Sequence, residues 1–206
     1  TDKAFEAGTF FRKENVDIIF LFVSTYALSS TVLPVVQRAK VPVIILNLSP
    51  GNAIDYEMFN SLPNRKAMTG EWLAWCNACP VPEIANVFKR TGIQFHQVSG
   101  TIHLDDPCWV EIREWIEAAK TASTLFYNRM GCMGHYYSGM LDIYTDQTAL
   151  AGTFGGHFEL IETDELTAIR ENVPSAEVRD RVSLFRKEFD IREDCGEEDL
   201  KLAADT

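Results

Sequence analysis

The sequence predicts an α/β protein built from two consecutive parallel-sheet units with flanking helices. Three observations lead there. Val16 to Val23 and Val41 to Leu48 are nearly continuous apolar runs rich in branched residues. Such runs fit strands covered on both faces, as in parallel sheets. A helix-like segment separates them, and the strand–helix pattern restarts after Tyr127. Together they describe repeated strand–helix–strand crossovers rather than hairpins.

Each element follows from local chemistry. Ser29-Ser30 caps a helix running to about Lys40. Pro42 sits at the first positions of the second strand, where a missing N–H does least harm. Residues 49–70 carry Pro50, Gly51, Asn52, Pro63, Asn64 and Gly70 and read as a long loop. Pro82 to Arg90 reads as a helix stopped by Gly92, and Ile93 to Val98 as a third strand. Asp106-Pro107 opens the clearest helix, with Pro107 suited to its first turn. Trp109, Ile112, Ile116 and Ala119 recur at helical spacing, with Trp115 beside them, and read as a core-facing stripe.

In the second half, Arg129 to His135 reads as a strand and Asp146 to Phe154 as a helix ending at Gly155-Gly156. His157 to Ile161 is another strand, followed by a helix from Thr163 to Asn172, with Thr163-Asp164-Glu165 supplying cap and early acids. Ser175 to Phe189 and Glu197 to Ala204 read as charged helices. The expected domains are therefore 1–122 and 123–206, each Rossmann/flavodoxin-like. The chain opens at Thr1 and stops at Thr206 inside helical patterns, so both ends read as cut. A fragment is expected, lacking the first strand of its first domain and the C-terminal part of its second.

Charge narrows the function classes. The net charge is −11, and residues 159–206 hold 15 acids against 7 bases. Without a basic stripe, nucleic acid and anionic membrane surfaces are poor partners, because both are bound through Lys and Arg. The apolar runs are far short of the roughly 20 residues a spanning helix needs. Five cysteines, an odd number in a chain of 206 residues, fit free thiols in a reducing, cytoplasmic setting.

The motifs that carry chemistry are few. Trp75-Cys76-Asn77-Ala78-Cys79-Pro80 has the Cys-x-x-Cys spacing of thiol–disulfide oxidoreductases. That motif should follow a buried strand directly, whereas here it follows Glu71–Ala74. Two small buried residues on a helical turn is the plainer expectation. One Cys pair does not supply tetrahedral zinc, and His96, His103, His135 and His157 show no ligand spacing. Gly131, Gly134 and Gly139 do not match a dinucleotide fingerprint. Ligands of parallel sheets bind at the carboxyl ends of the strands. Two such ends, Ser24-Thr25-Tyr26 and Gly134 to Asp142, mix hydroxyls, aromatics and glycines in a way that suits a polyol.

Several ordered segments resemble the L-fucose isomerase and L-arabinose isomerase superfamily. Val23-Ser24-Thr25-Tyr26-Ala27 resembles its strand ending in Thr-aromatic-Ser, and Val41 to Asn47 its following Lys-Pro-hydrophobic strand. Gln97-Val98-Ser99-Gly100 and Ile112 to Ala119 are similar to its Val-Thr-Gly segment and Trp-x-x-Ala helix. Arg129-Met130-Gly131 with Gly139-Met140-Leu141-Asp142 resembles its Arg-hydrophobic-Gly and Met-x-Asp signature, and His157 to Leu166 the strand and helix after it. The resemblance covers most of residues 16–170. It implies an aldose–ketose isomerase using a divalent metal such as Mn²⁺ as a Lewis acid, with paired acids moving a proton through an enediol. By resemblance the catalytic acids and metal ligands lie beyond residue 206, and this chain contributes sugar-pocket wall through Thr25, Tyr26 and Met140. It also implies a homo-oligomer, a trimer or hexamer with sites at subunit boundaries. Ser49-Pro50 stands where arabinose isomerases carry Gln-Phe, and Met68-Thr69-Gly70 in the region of their His-Gly stretch. That argues against a true arabinose isomerase and leaves the sugar open. Two other readings stand beside it: a non-catalytic sugar-binding α/β module, and a thiol oxidoreductase using Cys76 and Cys79.

Overall fold

Helices and short parallel strands alternate along the chain in the computed structural model, which describes residues 2–134 and 136–205. Two compact units result, residues 1–124 and 125–206.

In the first unit, α1 (Asp2–Lys13) leads to β1 (Ile19–Phe22), α2 (Ser29–Ala39) and β2 (Val43–Ser49). Next come α3 (Tyr56–Asn60), α4 (Arg65–Ala74), a 3-10 turn at Cys76–Ala78 and α5 (Pro80–Thr91). β3 (Phe95–Thr101) and α6 (Cys108–Tyr127) follow, the last residues of α6 crossing the unit boundary. The strands stand in the order β1-β2-β3, all parallel, with Ile19 opposite Val43 and Val43 opposite Phe95.

Alternation along β2 divides its side chains between two cores. Val43 and Ile45 pack with Val36 and Ala39 of α2 and with Val81, Ile84 and Phe88 of α5. Ile44, Leu46 and Leu48 pack with Val98 and with Cys108 and Ile112 of α6. Helices therefore cover both faces, which is why β2 reads as an unbroken apolar run. The apolar positions of α5 recur at helical spacing (Val81, Ile84, Phe88), and Gly92 ends the helix at φ +71°.

Three expectations are corrected here. Residues 49–70 are not one loop, because Asp55 and Asn64 each accept a backbone N–H three residues on, from Met58 (2.9 Å) and Ala67 (3.0 Å). These side chains satisfy orphan donors and start α3 and α4 within a stretch whose composition signals turns. The α6 stripe is core-facing only at its start: Ile112 is buried, Trp109 and Trp115 half-buried, and Ile116 exposed. The sheet is too short to cover the whole of a 20-residue helix. Of the Cys-x-x-Cys pair, Cys76 is buried but Cys79 is exposed.

In the second unit, β4 (Arg129–Met133) and β5 (His157–Ile161), connected through α7 (Gln147–Phe154), form a parallel pair with Arg129 opposite His157. α8 (Thr163–Arg170), α9 (Ser175–Glu188) and α10 (Glu197–Ala204) complete it. His135, expected at the end of β4, lies outside the described residues. Asp146 caps α7 by accepting from the N–H of Ala149 (2.9 Å), and Gly155 ends it at φ +83°. The α8 cap is Glu162, whose N–H is met by Glu165 (3.3 Å), one residue before the expected Thr163. Full coverage of these strands is not observed: neither has a fully buried residue. Arg129 and Glu159, an ion pair across the strands, need water on their side of the ladder. Val182 of α9 and Leu200 of α10 are the buried hydrophobics among this unit's described residues.

Candidate functional site

The best-built polar cluster lies at the carboxyl end of the first unit's sheet, and strand alternation creates it. The face that carries Val43 and Ile45 continues along β2 as Asn47 and Ser49. Register then sets Gln97 beside Ile45, Ser99 beside Asn47 and Thr101 beside Ser49. One face of the sheet thus turns from apolar to amide and hydroxyl within two residues.

Hydrogen bonds join these groups. Gln97 Nε2 and Asn47 Nδ2 donate to Ser99 Oγ at 2.9 and 3.1 Å. Asn77 Nδ2, from the 3-10 turn, donates to Asn47 Oδ1 (2.8 Å) and Ser49 Oγ (3.1 Å). Asn77 is only 2% exposed, and its Oδ1 has no partner among the described residues. A buried acceptor left unpaired costs about 1–3 kcal/mol. The cluster therefore carries an unmet demand for a hydrogen-bond donor.

The rim is tied down on two sides. Thr25 Oγ1 donates to the carbonyl of Leu73 (3.1 Å), fastening the segment after β1 to α4. Next to it Tyr26 is 58% exposed. On the other side, Asp106 accepts from Thr101 N and Oγ1 and from Cys108 N, each at 2.9 Å. The Cys108 N–H leads in holding the Asp106 carboxyl down at about 2. Burial, and then the neighbouring Asp106, push the Cys108 thiol up, so it is a packing residue rather than a nucleophile.

Asp106 makes a pH prediction. Its carboxyl is depressed by native contacts, so its contribution to stability is present above the ordinary aspartate value of 3.8. That contribution is lost as pH falls toward 2. Urea midpoints of the unaltered chain and Asp106→Asn are expected to differ at pH 6 and to converge below pH 3. Parallel curves would refute the assignment.

Sequence reasoning named Thr25, Tyr26 and Met140. Thr25 and Tyr26 stand together at the end of β1. Met140 belongs to the second unit, in the turn before a 3-10 segment at Leu141–Ile143, and is 47% exposed. That unit has its own hollow of about 480 Å³ at the carboxyl end of β4, lined by Met133, Tyr136, Thr145, Asp146 and Gln147. Tyr136 donates to the carbonyl of Thr145 (3.3 Å) and its ring lies 5.3 Å from that of Tyr144. Met140 does not line this hollow.

No family model and no curated protein matches the chain. Its functional reading rests on the cluster itself. Sequence reasoning missed Asn47, Ser49, Asn77, Gln97 and Ser99. The available signal was the pair Asn47 and Ser49 interrupting an apolar strand on one face. Asn77 lies inside the Cys-x-x-Cys motif, where the cysteines carry the more familiar chemistry.

Among the described residues no group of three or more His, Cys, Asp or Glu side chains could hold an ion. His96 pairs with Glu111 (2.7 Å) on a half-exposed surface. Also among the described residues, no helix is long and apolar enough to cross a membrane.

Proposed function

We propose that this chain is the sugar-facing, non-catalytic part of a metal-dependent aldose–ketose isomerase. The observation that carries the reading is the amide–hydroxyl cluster at the strand ends, with its unpaired Asn77 Oδ1. A sugar presents donors and acceptors on every carbon, and such a cluster answers both. Asn77 Oδ1 accepts a hydroxyl proton, and Ser99 Oγ, already accepting two N–H groups, still has its own hydrogen to donate. Tyr26 offers an aromatic face to the C–H side of the ring.

In this reading both units are Rossmann/flavodoxin-like halves, and each contributes sugar-pocket wall, the first through Thr25 and Tyr26 and the second through Met140. Subunits assemble as a cytoplasmic trimer or hexamer. The Mn²⁺ ligands and proton-transferring acids come from outside residues 1–206. The residues of this chain bind and orient, and no step of the reaction runs through them.

A second reading, a sugar-binding module without catalysis, draws on the same cluster, whose Asn, Gln and Ser side chains would hold hydroxyls whether or not a reaction follows. The test is a screen of the protein that contains this chain against a panel of aldoses with manganese, before and after chelation. Turnover that disappears on chelation supports the isomerase. Saturable aldose binding without turnover supports the module. Neither binding nor turnover overturns both. Tyr26→Ala, at an exposed position, is expected to weaken aldose binding roughly three- to tenfold, the size of one aromatic contact.

A further inference from the structure

Cys76 and Cys79 are a second chemical feature, independent of the sugar reading. All five cysteines are free thiols. These two are three residues apart across the 3-10 turn, which the Cys79 N–H closes on the Cys76 carbonyl at 3.2 Å. In a 3-10 helix side chains three apart eclipse, and a rise of about 2 Å per residue sets their Cα atoms about 6 Å apart. That lies inside the Cα range of disulfides. Burial, and then the neighbouring Cys79 side chain, push the Cys76 thiol up.

The order of exposure is the reverse of that in the ordinary oxidoreductase role. There the first cysteine of the motif is the accessible nucleophile. Here the first, Cys76, is 2% exposed and the second, Cys79, faces solvent. A client disulfide cannot reach Cys76, whereas a small oxidant reaches Cys79.

We propose that Cys76 and Cys79 are an oxidative modification site, closing to an intramolecular disulfide on reaction with a hydroperoxide. The Cys79 thiolate sulfur attacks one peroxide oxygen and the O–O bond breaks. The departing hydroxide takes up the proton that Cys79 released and leaves as water. The Cys76 sulfur then displaces the hydroxyl of the resulting sulfenic acid, forming S–S as S–O breaks. The second water carries away the Cys76 proton. The two sulfurs each give one electron, and hydrogen peroxide is reduced to two waters. The burial of Cys76 keeps it from oxidant until Cys79 has reacted, and its nearness stops Cys79 from climbing the oxidation ladder.

The modification reaches the strand-end cluster through Asn77, which lies between the two cysteines and holds Asn47 and Ser49. Drawing the sulfurs to about 2.05 Å tightens that turn and shifts the Asn77 amide.

The test treats the full chain with equimolar hydrogen peroxide. The mass is expected to fall by two hydrogens and free thiols from five to three, with the bridge mapped to Cys76–Cys79 and reversed by dithiothreitol. Cys79→Ser, at an exposed position, is expected to lose the bridge while keeping its urea midpoint. Amide exchange at Asn47 and Ser99 is expected to differ between the reduced and oxidised chain and to be indifferent to peroxide in Cys79→Ser. No reaction, a bridge to another cysteine, sulfinic acid at Cys79 beside free Cys76, or unchanged exchange on oxidation would each overturn the proposal.

Discussion

Phe88→Ala is expected to lower the unfolding free energy of the first unit by about 3–5 kcal/mol, the cost of removing a buried ring from a packed core. Phe88 is fully buried on α5, in the same cluster as Val36, Ile45, Val81 and Ile84. Its ring meets Phe95 of β3 edge-on with centroids 5.7 Å apart, adding an aromatic contact to the burial. The surrounding groups come from β1, β2, α2 and α5, so the site is walled by rigid elements and collapses poorly around a void. Phe88→Leu keeps most of the volume and is expected to cost far less. Urea denaturation of the two variants decides the matter. A loss under about 1 kcal/mol for Phe88→Ala would mean that α5 is not seated on the sheet as described.

Gly8→Leu is the second large effect, and here two terms oppose each other. Replacing glycine inside a helix gains about 0.8–1 kcal/mol of helix propensity. Gly8, however, faces α2 at close range. A Cβ there meets the Val35 carbonyl oxygen at 2.6 Å, Val35 Cα at 2.9 Å and Arg38 Cβ at 2.9 Å. Two of these are backbone atoms, which cannot swing aside, so the helices must separate. Forcing extra carbons into a packed contact costs about 1–3 kcal/mol, and a whole isobutyl group lies at the upper end. The net expectation is a loss of about 2 kcal/mol, whereas Gly70→Ala, with nothing near its added carbon, is expected to be neutral or mildly stabilising. A stabilised Gly8→Leu chain would show that α1 does not pack on α2.

Chemistry local to a few residues was readable along the chain. Within the branched apolar runs, Ile19–Phe22 and Val43–Ser49 became parallel strands; both faces of β2 are covered, whereas β1 is shorter than its run and only its Ile19 is buried. Gly92 and Gly155 ended helices because each adopts a positive φ that other residues resist. The helices at 55–75 were hidden because Asp55 and Asn64, which start them, are also turn formers, and composition does not tell a cap from a turn.

The sequence by itself determined that the chain is α/β, that its strands pair in parallel, and where several helices stop, since all of these follow from residue order and backbone preference. Only the tertiary structure decided which polar groups meet. Asn47 and Ser99 are 52 residues apart, and Asn77 is 30 from Asn47. Their meeting depends on strand register, which no local preference encodes, and on the burial that leaves the amide oxygen of Asn77 without a donor among the described residues.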